Sequence, residues 1–168
     1  MAGDVVELIL ADHRKFEDLL RKVRDESEDQ EAALAELADV LVAHAEAEEK
    51  KVYPKLRRKD AIDQEEVEHG EHEHAEGHEA LLKVLEIGDP SADDFGEAVE
   101  ELTKELAHHM DEEERTILNP ARGEVDEKTR QDLGVAFMSE RQSQLDAGCG
   151  DIENVRRLVE EAKEEGLT

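Results

Sequence analysis

The chain has no tryptophan, one tyrosine and three phenylalanines, so aromatics make up only 2% of its 168 residues. A core built from this composition must be aliphatic. That suits packed helices better than a sandwich of strands rich in aromatic and β-branched residues. Prolines number three and glycines ten, which leaves long uninterrupted stretches and again favours helices. The lone cysteine, Cys149, excludes an intrachain disulfide and a cysteine-based zinc site. No apolar run is long enough to cross a bilayer. The opening MAGDVVELILADHRKF has no basic leader and is cut by Asp4, Glu7 and Asp12, so a reducing, cytoplasmic setting is expected. Positive charge is scarce too: 21 Lys and Arg face 48 Asp and Glu, a net charge of −27. Phosphate backbones and anionic lipid surfaces would be repelled, so neither nucleic acid nor a membrane is expected as a partner. The acidity itself reads as a solvated surface.

What is present is a repeating helical pattern. Asp4 with Glu7 predicts a capped helix running to about Arg24, with Val6, Ile9, His13, Phe16, Leu20 and Val23 on one seam. Ser27 with Gln30 predicts the next cap. That second helix carries Leu34, Leu37, Leu41, His44 and Glu48, and should end near Pro54. Asp63 with Glu66 opens a third, with Val67, Glu71, His74, His78, Leu81 and Leu85 in phase until GDPSADD breaks it. Ser91 with Asp94 predicts the cap of a fourth, with Phe95, Val99, Leu102, Leu106, His109 and Glu113 in phase, stopping before Pro120. Short polar loops join the four, so the expected fold is all-α: an antiparallel up-down-up-down four-helix bundle over residues 1–120. Residues 121–168 read as a C-terminal helical extension, with a helix over 126–145 and a shorter helix or fraying tail over 152–162.

Polar residues replace apolar ones near the middle of every seam. His13, His44 with Glu48, His74 with His78, and His109 stand where leucine would be expected. Residues four apart lie on one helix face, about 5.4 Å apart along the axis, and antiparallel packing brings all of them to one level. Such a core is costly unless a metal neutralises it. Imidazole and carboxylate suit iron, zinc or copper rather than calcium or magnesium. Five imidazoles with two bridging carboxylates nearly fill two octahedral ions, which points to a dinuclear centre with an open position. His69, His72 and His108 fall off the seams and read as solvated, or as weak hydrogen-bond donors to the ligands from outside. A ferritin-type arrangement would use Glu71-x-x-His74 and Glu105-x-x-His108, but Glu105 and His108 lie beside their seam. Tyr53 could be a redox or hydrogen-bonding neighbour of the cluster, but it falls about half a turn from His44 and far along the axis, and reads as a packing residue at a helix end.

The ordered set of His13, HAEAE (His44, Glu48), HAEGH (His74, His78) and HMDEEE (His109 with a following glutamate) resembles the hemerythrin-like, or HHE cation-binding, proteins, and most nearly their actinobacterial branch. The resemblance covers about residues 1–120. It implies two Fe ions in an oxo- or hydroxo-bridged di-iron centre. His74, His78 and His109 would hold the filled iron, His13 and His44 the open one, and Glu48 would bridge. For the second bridging carboxylate, the family spacing and the distance to Pro120 select Glu114, whereas the heptad count prefers Glu113; Glu114 is the choice, with Glu113 in reserve. The implied partners are small molecules, O2, H2O2 or NO, acting on a monomer or weak homodimer. The implied function leans toward a peroxidase- or catalase-like redox enzyme, with a reversible O2 carrier or sensor, or an iron-binding protein without turnover, as alternatives. If the seam selects the ligands, His74→Ala loses metal while His72→Ala keeps it; equal losses in metal analysis of the two variants would refute the assignment.

Overall fold

The computed structural model describes residues 3–168. Among these there are helices and no strands. α1 spans Val5–Val23 and α2 Gln30–Ala47; a π-helical turn, Glu48–Val52, joins α2 to α3, Tyr53–Arg58. α4 spans Gln64–Ile87 and α5 Phe95–Glu113; a second π-turn, Glu114–Leu118, joins α5 to α6, Asn119–Glu124. α7, Glu127–Asp146, and α8, Ile152–Glu164, form the C-terminal extension.

Two antiparallel hairpins make the bundle. Lys15 meets Glu36 and Asp12 meets His44 as α1 and α2 move away from their loop. Lys83 meets Glu101, and farther on the His74 and His109 rings lie 4.7 Å apart, between α4 and α5. α1 packs on α5 and α2 on α4, which closes the bundle. One apolar block, including Leu20, Leu37, Leu81, Val99 and Leu102, fills the end near the hairpin loops. A second, including Val6, Ile9, Val52, Leu56, Ile117 and Phe137, fills the other end. The histidine and glutamate side chains form a buried polar layer in the same bundle.

Helix starts follow local chemistry, with two corrections to the expected caps. Asp4 accepts from the Val6 N–H at 2.9 Å, and Asp63 with Glu66 forms the expected capping box. α2, however, is capped by Asp29, which accepts from Ala32 N–H at 3.0 Å, while Ser27 turns back onto Asp25. Asp25 already claims the Ser27 hydroxyl at 2.6 Å, so it cannot serve the helix. Ser91 likewise bonds Asp89 and not α5, whose first turn has no side-chain cap. Gly88, at φ +68°, ends α4 in the left-handed conformation that a Cβ would disfavour.

The expected stops at Pro54 and Pro120 are also corrected. Both helices continue past their prolines as α3 and α6. A proline inside a regular α-helix loses a hydrogen bond and collides with the carbonyl four residues back. Here the preceding π-turn widens the coil: Tyr53 N–H bonds Glu48 C=O and Asn119 N–H bonds Glu114 C=O, each five residues back. Each proline then sits in the first turn of a new α-register, where it needs no donor.

The extension is docked along its length. α7 lies against α1 and α2, burying Leu133 and Phe137, and α8 lies against α4, burying Val155 and Val159. The turn between them latches onto α2, where the Cys149 thiol donates to Asp39 C=O at 3.3 Å and the Gly150 N–H to the Asp39 carboxylate at 3.2 Å. A Cβ on Gly150 would lie 2.4 Å from the Asp39 amide nitrogen. Gly150→Ala therefore lowers stability by about 1–3 kcal/mol, measured as a reduced denaturation midpoint; an unchanged midpoint would mean that the latch contributes nothing.

Candidate metal centre

Six polar side chains from α1, α2 and the π-turn after it, α4 and α5 meet in the buried layer as two overlapping groups. His13, His44, Glu48 and Glu113 form one; Glu48, His74, His109 and Glu113 form the other. In each group one nitrogen or oxygen from every residue lies within 4.8 Å of the others. Glu48 and Glu113 belong to both. His13 and Glu113 pair at 3.1 Å, His74 and Glu48 at 3.5 Å, and His109 and Glu113 at 3.7 Å through their Nε2 atoms. His44 Nε2 and Glu48 Oε1 are in close contact without the alignment of a hydrogen bond, and each has no hydrogen-bond partner. His78 stands one turn along from His74, outside both groups. Its buried Nε2 is also without a partner, and it lines a small cavity with Leu41, His44, His74, Leu106 and His109.

The outward nitrogens show how the imidazoles are aimed. Nδ1 of His44 lies 2.9 Å from Asp12, that of His74 2.8 Å from Glu49, that of His109 3.3 Å from Glu73, and that of His13 3.1 Å from Glu114. A carboxylate only accepts, so each Nδ1 carries a hydrogen and Nε2 is the nitrogen turned inward, free to bind a metal once it gives up any proton. Imidazoles that hold a metal are oriented by such carboxylates. Each carboxylate neighbours a member of the inner cluster in the chain but serves a histidine on another helix. α1 serves α2, the turn after α2 serves α4, α4 serves α5, and the turn after α5 serves α1.

Glu114 is thus placed outside the cluster that Glu113 enters. The Glu114 side chain is 46% exposed and that of Glu113 is 0%. The α-helical step of four from His109 selects Glu113. Counting back from the proline selects Glu114, because the π-turn starts at Glu48 itself in the first repeat but one residue after Glu113 in the second. His69 and His108 have side chains 53% and 60% exposed, and His72 bonds Leu167 C=O at the surface. Neither Glu71 nor Glu105 joins the groups.

Tyr53 is the residue that spacing alone missed. It is wholly buried, stacks on His74 at 5.7 Å, and its hydroxyl bonds both Glu48 and Glu113. In a continuous α-helix, nine residues at about 100° each would put it opposite His44. The π-turn, with its bonds to the fifth residue back, carries it around to the side of Glu48. A tyrosine immediately before Pro54 was the only available signal. Opposite its ring, a Cβ on Gly70 would come within 2.9 Å.

Charge balance tests whether the residues fit a cation. Burial pushes the His44 imidazole down, but Glu48 and Asp12 outweigh it and carry it up to about 10. Burial likewise opposes charge on His13 and His74, and the surrounding carboxylates still raise both. Burial, helped by the His74 and His109 charges and only partly opposed by Glu49, pushes His78 down to about 4. Burial and the Glu113 and Glu48 charges push the Tyr53 phenol well up, so it keeps its proton. One hydroxyl has one hydrogen and cannot satisfy both carboxylates. The layer therefore requires protons or cations, and inward Nε2 atoms, those of His44, His78 and His109 without partners, fit a metal, whose binding displaces any protons there.

A family model describes the same segment: the hemerythrin HHE cation binding domain matches residues 4–121. The chain belongs to the hemerythrin HHE family. No curated protein and no solved structure matches it significantly. For this HHE chain, Glu113→Gln abolishes metal uptake, whereas Glu114→Gln keeps the metal and weakens its affinity about tenfold. Titration with the metal and elemental analysis distinguish the two, and equal losses would overturn the inner and outer placement.

Proposed function

We propose that this HHE domain holds two iron ions and consumes hydrogen peroxide or nitric oxide, with O2 as a further ligand. His74, His78 and His109 would hold one ion, His13 and His44 the other, and Glu48 and Glu113 would be shared. Iron bound there supplies electron exchange with a small ligand at an open position. The observation that carries the reading toward turnover is the Tyr53 hydroxyl between Glu48 and Glu113. A reversible carrier gains by excluding proton donors; a peroxide-consuming site needs one.

The chain's own groups divide this work. Tyr53 Oη keeps a proton inside the cluster and donates it in a hydrogen bond to Glu48 or Glu113. Asp12, Glu49, Glu73 and Glu114 fix the imidazole orientations from outside. Ile9, Phe16, Leu102 and Leu106 are buried and keep the layer dry. That apolar surround also favours the second reading, reversible O2 carriage. A cavity of about 150 Å³ between α4 and α8, lined by Glu49, Glu71, His74, His78, Glu161 and Glu165, lies on the His74 and His78 side of the layer. No helix among the described residues is long and apolar enough to cross a membrane.

Protein from iron-replete cells should contain close to two irons per chain; zinc in place of iron would end this reading. Peroxide added to the iron-loaded protein should be consumed over many turnovers, whereas a stable, reversible O2 spectrum without turnover would establish the carrier instead. Tyr53→Phe removes only the hydroxyl. It should retain iron and lower the rate of peroxide consumption by about 10²-fold or more; full activity in that variant would remove Tyr53 from the chemistry.

A further inference from the structure

Arg141 lies on α7, beyond the segment that the family model matches, and reaches the metal centre from 129 positions away in the chain. Its guanidinium forks onto Asp12, with Nε donating to Oδ2 at 2.9 Å and Nη2 to Oδ1 at 2.8 Å. The same Oδ2 accepts from His44 Nδ1 at 2.9 Å. The pair is out of solvent, with side-chain exposures of 12% and 9%. Phe137, one helical turn earlier on α7, sets its ring edge-on to His44 at 5.6 Å. Part of the C-terminal extension is thus built around one imidazole.

The other three outer carboxylates differ. Among the described residues, neither Glu49, Glu73 nor Glu114 pairs with an arginine or lysine; besides His109, Glu73 meets only the exposed His69 and His108. An imidazole whose N–H is held by an uncompensated carboxylate gains basicity and donates more strongly to its metal, which favours the more oxidised ion. A guanidinium locked in a bidentate pair draws the carboxylate's charge to itself, and arginine does not lose its proton. Among the four imidazoles held by carboxylates, His44 is therefore the weakest electron donor, although its orientation is held the most firmly.

We propose that Arg141 is a positioning residue that acts through Asp12 and His44 and raises the potential at which the ion held by His13 and His44 is reduced. The proposal rests on the two-iron reading of the site. It gives the α7 extension a role in tuning the centre as well as covering it.

The test is iron analysis followed by spectroelectrochemical titration of the full chain. In Arg141→Gln the iron content stays at the wild-type value. One of the two reduction steps moves to lower potential, shifting the ratio of oxidised to reduced ion about tenfold, or ~59 mV for one electron. The other step stays in place. Arg141→Lys, which keeps the charge without the fork, moves less. Unchanged potentials in an iron-replete Arg141→Gln protein overturn the proposal and leave Arg141 a strut. If Arg141→Gln does not retain iron, Asp12→Asn carries the test. Its amide cannot draw the proton from His44, so the same step rises, and an unchanged step overturns the proposal. Wild-type protein that holds no iron overturns the two-iron reading itself, a result separate from any variant's behaviour.

Discussion

The structure is organised by two carboxylates that it removes from water. Glu48 and Glu113 come from different hairpins, are almost wholly buried, and approach one tyrosine hydroxyl. Isolated charges of this kind would cost several kcal/mol each. Everything around them reads as compensation: four imidazoles face inward, four outer carboxylates hold those imidazoles by their far nitrogens, and an arginine holds one of the carboxylates. The aliphatic blocks to either side keep the layer away from solvent and so keep the demand for a cation strong.

The π-turns serve this arrangement. Their extra residue admits a proline without ending the helix, and it changes which face follows the ligand. The first repeat uses that change to bring in Tyr53. In the second, the turn begins one residue later, and the matching position, Asn119, is exposed. Two hairpins that are similar in motif therefore produce an asymmetric site, with one phenol rather than two.

The bundle and its inner histidines were readable because a ligand on a seam interrupts a regular apolar pattern. His13, His44, His74 and His109 are conspicuous where leucine is due; His78 is equally conspicuous but lies outside both groups. The outer carboxylates gave no comparable contrast. In a chain with 48 acidic residues, Asp12, Glu49 and Glu73 look like solvated surface, and only the fold shows which imidazole each one meets. Glu113 and Glu114 were separable only by deciding whether the helix register or the proline sets the position, and the register prevailed. Tyr53 was hidden by a change of helical pitch that no spacing rule anticipated. Arg141 was hidden by distance, since a pairing across 129 positions leaves no local signature.

The carboxylate–histidine links have a topological consequence. Each runs from one helix to the next, and the fourth returns to the first, so they form a closed circuit around the bundle. A circuit has no free end at which to fray: opening one link leaves every helix still tied to the others through the remaining three. The site thus acts as a girdle on the fold as well as a receptacle. Slow, collective opening of the bundle, rather than the swing of a single side chain, would then set the pace at which a bound ion leaves.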